Sequence, residues 1–186
     1  MFEKLPSALG AALTKVRAGS DKLLLAEEAG DAPETIAVTS SAFDNGGRIP
    51  AKYTADGEGH SPPLAWSNLP AGTAEVLVVC EDPDIPAPHP FIHLIAVFDP
   101  TAGSVAEGAL DQDGAGVRTG KTSMGHTGWA PNDPPPGHGP HHYFFQVFAL
   151  SRPFDWDAAP GKDEVKKAVA GSVLAKGVLV GIYERS

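Results

Sequence analysis

Short runs of β-branched and aromatic residues, bounded by turn residues and in several cases lacking any polar alternation, constrain this chain more than any other feature. They are "TIAVTSSAF" (35–43), "EVLVVCE" (75–81), "FIHLIAVFD" (91–99), "HHYFFQVFAL" (141–150) and "GVLVGIYER" (177–185). A strand with one face in water alternates apolar and polar residues, so unbroken apolar runs of strand length predict strands covered on both faces. The 21 glycines and 18 prolines fall largely between these runs and predict long shaped loops at 44–63, 99–125 and 126–140. Loops of that length in a compact domain are commonly the functional ones.

Helical patterning is confined to the two ends. Residues 5–16, "LPSALGAALTKV", place Leu5, Leu9, Ala12, Leu13 and Val16 on one helical face, and a second apolar cluster, "KLLLAEE" (22–28), leads to a linker marked by Gly30 and Pro33. "GKDEVKKAVAGSVLAKG" (161–177) reads as one late helix with Val165, Ala168, Val169 and Ser172 on one side. The chain therefore divides into an N-terminal helical extension with linker, 1–34, and one mainly β domain, 35–186. So short a helix is marginal alone; docking on its own domain is expected, with a second subunit as the other surface.

The formal charge of −9 argues against nucleic acid or an anionic membrane as partner, since both require clustered basic residues. A single cysteine, Cys80, within an apolar run excludes an internal disulfide framework and fits a reducing compartment. In the first thirty residues Lys15, Arg17, Lys22 and Glu27 interrupt every apolar stretch, so no signal peptide or stable membrane insertion is expected and the protein is assigned to the cytoplasm.

Two proline-rich stretches carry the candidate chemistry. In "EDPDIPAP" (81–88), Pro83 and Pro86 fix their own φ and push the preceding residues toward extended geometry, holding Asp82 and Asp84 in place at little entropic cost. Each aspartate alone would read as a turn cap, and His93 alone as a core histidine. In "GHTGWAPNDPPPGHGPHHYFF" (125–145), prolines alternate with glycines up to a strand on which His141 and Tyr143 share one face and His142 takes the other.

Taken together, "SPPLAWSNLPAGTAEVLVVCEDPDIPAP", His93, "GHTGWAPNDPPPGHGPHHYFFQVFAL" and "AVAGSVLAKGVLVGIYE" resemble the phosphatidylethanolamine-binding protein family, in its bacterial and archaeal, kinase-inhibitor-like branch. The likeness spans roughly residues 35–186 and leaves the N-terminal extension unexplained. It implies an antiparallel β-sandwich with a C-terminal helix, here with an extra N-terminal helix. It also implies a small pocket for phosphate-like or carboxylate anions, walled by Asp82, His93, His141 and Tyr143, with Pro134, Pro135 and Gly137 from the proline-glycine loop and Asp84 and His142 behind them. This chain departs from the family pattern at His142, where the family usually has arginine, at Ile92, where many members have an aromatic residue, and at Asp133, where glycine is typical. Losing the arginine removes a fixed charge and a fork of five donors, which would make anion affinity weaker or dependent on pH through the histidines.

The function implied is binding of a small anion (phosphate, a phosphomonoester or a phospholipid headgroup), with regulation through a protein partner as the extension of that reading. The alternative is a small hydrolase with a His/Asp or metal site, for which "HGPHH" (138–142) is the suggestive stretch. His141 and His142 point to opposite sides, however, and no H-E-x-x-H, G-x-S-x-G or P-loop pattern occurs, so neither cofactor nor metal is expected and binding is preferred to catalysis. A third reading makes the N-terminal helix the contact of a homodimer.

Overall fold

The computed structural model describes residues 6–29, 31–111, 117–155 and 158–185. Leu5 of the predicted helix face, Gly30 of the linker and residues 112–116 of the loop 99–125 lie outside the described residues. The strands are β1 (Ala37–Thr39), β2 (Gly47–Arg48), β3 (Leu64–Ser67), β4 (Glu75–Asp82), β5 (Phe91–Phe98), β6 (Ser104–Val105), β7 (Arg118–Thr119), β8 (His141–Leu150) and β9 (Val173–Tyr183). The helices are α1 (Ser7–Leu13), α2 (Leu24–Glu27) and α3 (Lys162–Val169).

A six-stranded sheet of order β2-β9-β8-β4-β5-β7 forms the frame, antiparallel except where the short β2 runs parallel to β9, and a three-stranded sheet β1-β3-β6 lies over one face. The unbroken apolar runs are explained by two cores, one on each side of the large sheet. Val76, Val78 and Cys80 of β4, Leu94 of β5, and Phe145 and Val147 of β8 pack toward Val38 and Trp66 of the small sheet. Leu77, Val79, Ile95 and Phe148 face the opposite way, against Leu24, Ala29, Val165 and Val169. Neither face of β4 meets water, so its sequence has no reason to alternate.

The late helix is shorter than its pattern. It stops at Val169, Gly171 adopts a left-handed φ of 68°, and residues from Val173 onward enter β9, where they pair with the full length of β8. A ladder along the central strand outweighs the helical preference of "SVLAK". Helix and final strand therefore follow in the expected order, with the strand beginning at Val173.

The N-terminal segment lies along its own chain. Gly10 of α1 is buried, and a Cβ there would stand 2.0 Å from the Pro136 carbonyl oxygen; a Cβ on Gly137 would stand 2.6 Å from the Ser7 carbonyl oxygen. The two glycines allow helix and proline-glycine loop to touch backbone to backbone. Farther along, Ala18 N and Gly19 N donate to the carbonyls of Ile85 and Pro83 at 3.0 Å each, and α2 covers the second core. No helix among the described residues is long and apolar enough to cross a membrane.

Candidate functional site

Strands β4, β5 and β8 are neighbours, and their ends bring the "EDPDIPAP" loop, His93 and the proline-glycine loop together around a cavity of about 150 Å³. Asp82, Phe91, His93, Met124, Asp133 and His141 are among the residues that line it. His93 reaches this cavity through a break in register. Cys80 pairs with Leu94 and Glu81 with Ile92, so His93 is the extra residue of a β-bulge with no partner of its own on β4. Regular alternation would have placed its ring on the opposite face from Leu94; the bulge turns it to the side where Phe91 and Asp82 stand.

The His93 ring is buried, and burial pushes its pKa down, so the neutral imidazole is the resting form. Nδ1 donates to the Ala130 carbonyl at 2.7 Å, which fixes the tautomer and leaves Nε2 a bare acceptor with no partner among the described residues. The ring is held edge-on by Tyr143, with centroids 5.2 Å apart, and tilted against Phe91 at 4.7 Å.

His141, by contrast, has both nitrogens committed. Nδ1 lies 2.6 Å from Asp82 Oδ2 and Nε2 lies 2.8 Å from His138 Nδ1, while His138 Nε2 lies 2.9 Å from the Leu13 carbonyl oxygen. A carbonyl only accepts, so His138 Nε2 carries a hydrogen. Burial holds the His138 pKa down, with the His141 and Arg17 charges acting the same way, so its Nδ1 is an acceptor and His141 Nε2–H donates to it. One proton then lies between His141 Nδ1 and Asp82 Oδ2. The other Asp82 oxygen accepts from Asp84 N at 2.8 Å. With both ring nitrogens engaged, His141 can take a proton from a substrate only by breaking one of these bonds.

The remaining carboxylates are also matched. Asp84 Oδ2 accepts from His142 N and from His142 Nδ1, each at 2.7 Å, and its Oδ1 forms an ion pair with Arg17. Burial opposes the charge of Asp84, but the bonds from His142 and Arg17 outweigh it and hold the carboxyl below the usual aspartate range. Asp133 Oδ1 accepts from Arg185 Nη1 at 2.7 Å, and the same guanidinium binds Asp56.

The family pattern of the phosphatidylethanolamine-binding proteins matches residues 39–184. The chain belongs to this family. A UPF0098 protein of Pyrococcus horikoshii is 36% identical over 150 residues, covering 78% of this chain and 75% of that protein. A UPF0098 protein of Methanothermobacter thermautotrophicus is 34% identical over 146 residues, covering 77% and 95% respectively. Among solved structures, a homologue of the family from Chlamydia trachomatis superposes with a TM-score of 0.75 at 31% identity, covering 82% of this chain and 99% of its own. E. coli YbcL, described as a member of the mammalian family, gives 0.76 at 26% identity, covering 81% and 99%. The mainly β fold is the family fold.

Within that family frame, the residues singled out from the sequence occupy different depths. Asp82, His93, His141 and Pro135 line the cavity. Tyr143 is fully buried behind the two histidines, its hydroxyl without a hydrogen-bond partner among the described residues and its pKa pushed well up by burial. Pro134 offers its carbonyl to Arg185 at 2.9 Å, and Gly137 lies beneath α1. Asp84 and His142 pair with each other beside the pocket. Among the described residues no group of three or more His, Cys, Asp or Glu is placed to hold a metal ion. Sequence reasoning missed Arg17 and Leu13, which belong to a segment with no local link to the pocket, and it weighed His138 only as part of a metal cluster. A glycine at position 10 inside an otherwise helical pattern is the sequence signal that α1 meets another backbone.

Proposed function

We propose that the pocket binds a small phosphate-like anion, either inorganic phosphate or the phosphomonoester end of a larger molecule, with His93 Nε2 as the principal contact. The observation that carries this reading is the difference between the two pocket histidines: His141 is bonded on both sides, whereas His93 presents one nitrogen without a partner among the described residues. The cavity of about 150 Å³ suits a headgroup-sized ligand and falls below the range of pockets that enclose larger molecules. His126, exposed where it lines the cavity, adds a third imidazole.

A neutral His93 only accepts at Nε2. A phosphate monoanion meets it with its own P–OH, and a dianion binds only once His93 takes up a proton. Either way the complex holds a proton that the free dianion and neutral ring do not, so affinity rises as pH falls. Titration calorimetry with inorganic phosphate at pH 5.5 and pH 8, in buffers of different ionisation enthalpy, is the test. Tighter binding at pH 5.5, and net proton uptake at pH 8 where free phosphate is the dianion, both lost in His93→Gln, are expected; equal affinity at the two pH values, or no binding at either, sinks the reading.

A further inference from the structure

The family match begins at residue 39, yet two of the groups that fix the pocket's hydrogen bonds lie upstream of it. The Leu13 carbonyl is the terminus of the chain Asp82–His141–His138, and its acceptor character is what obliges His138 Nε2 to carry a hydrogen. Arg17 Nη1 pairs with Asp84 Oδ1 and also donates to the Pro140 carbonyl at 3.1 Å. Asp84 lies on the loop that carries Asp82, and Pro140 immediately precedes His141, so one side chain ties together the two stretches whose residues form the dyad. The backbone bonds from Ala18 and Gly19 to Ile85 and Pro83 fasten the same loop from the same segment. Removing this segment would leave His138 free to adopt either tautomer, and with a hydrogen on His138 Nδ1 the His141 Nε2–H would lose its acceptor.

We propose that residues 13–17 are positioning elements of the pocket: Leu13 O sets the tautomer of His138 and through it the hydrogens of His141, while Arg17 fixes the spacing of the Asp82 loop and the His141 strand. Gly10 is the mechanical fulcrum, because any side chain there drives α1 off the Pro136 backbone and carries Leu13 O away from His138. His142 is the nearest place from which another guanidinium could serve Asp84, since its Nδ1 already touches Asp84 Oδ2.

The experiment uses the full chain and reads the imidazole nitrogens by 15N NMR, which needs no ligand. In the wild type, His138 is expected as the neutral Nε2–H tautomer and His141 as protonated at Nε2. In Gly10→Ala, His138 is expected to show averaged tautomers, with backbone amide spectra confirming that β4, β5 and β8 remain folded. A wild-type spectrum with the other His138 tautomer, or a Gly10→Ala spectrum indistinguishable from wild type, overturns the proposal. A second arm rests on the anion reading: Arg17→Met should weaken inorganic phosphate about fivefold, the effect of one partly screened charge contact, and Arg17→Met/His142→Arg should restore it. Unchanged affinity in Arg17→Met, or failure of the double variant to recover, refutes the role of Arg17. Absence of phosphate binding by the wild type refutes the anion reading instead and leaves the nitrogen spectra to decide the rest.

Discussion

Glu81→Leu should be among the most destabilising single changes in the chain. Glu81 is fully buried on the face of β4 opposite the pocket, where its Oε2 accepts from Leu24 N and from Gln146 Nε2, each at 2.8 Å, and its Oε1 meets Lys162 Nζ at 2.8 Å. One carboxylate thereby joins the N-terminal segment, β8 and α3. Leucine would leave two buried neutral donors unsatisfied, at roughly 1–3 kcal/mol each. Lys162 keeps the Lys22 carbonyl at 2.9 Å and some access to water, so its loss adds about 1 kcal/mol or less. Burying the leucine side chain returns about 1–2 kcal/mol. The net expectation is about 3 kcal/mol, which for a chain of this size lowers Tm by roughly 6–12 °C. Glu81→Gln keeps an acceptor but turns an NH₂ toward Lys162, so it should fall between wild type and leucine. Urea unfolding followed by tryptophan fluorescence gives the free energies, and adding Lys162→Met to Glu81→Leu should recover part of the loss. A leucine variant within about 1 kcal/mol of wild type would show that the N-terminal segment is not anchored at this point, and the reasoning would fail.

Two further outcomes follow from the charged groups around the pocket. The carboxyl of Asp84 is held below its ordinary value of 3.8, so it contributes stability that is present above that value and is lost as pH falls through the lowered one; Asp84→Asn should flatten the acid limb of a stability–pH curve measured by urea unfolding between pH 2 and 6. Arg185→Met should cost about 2–3 kcal/mol at pH 7 by stripping Asp56 and Asp133 of a mostly buried guanidinium. Its hydrogen bond is the main cause holding the Asp56 carboxyl down, so the cost should shrink at pH 3, and a pH-independent loss would point to packing instead of charge.

What the sequence disclosed is what local pattern can encode. Strands β4, β5 and β8 are legible because both of their faces are buried and no competing period interrupts them. The short β2, β6 and β7 are not, since a two-residue strand such as Arg118–Thr119 exists only because Val97 and Ala96 of β5 offer it a partner. The end of α3 was misjudged because "SVLAK" suits either state and the choice is made by β8. Asp82, His93 and His141 are prominent beside their prolines, but the bulge that aims His93 depends on register across two strands and leaves no mark in "FIHLIAVF". Arg17 illustrates the same limit, since its partner is brought near only when the N-terminal segment lies across the finished sheet.

The strand order also governs when the pocket can exist during synthesis. β8 lies between β4 and β9 in the sheet, yet it is made some sixty residues after β4, while the β4–β5 hairpin is complete early. Until His141–Leu150 leaves the ribosome, the long apolar β4 has an open edge on the side that β8 will cover. The assembly of Asp82 with His141 is therefore a late event, and a chain interrupted before residue 141 would present an unpaired apolar edge suited to association with other chains.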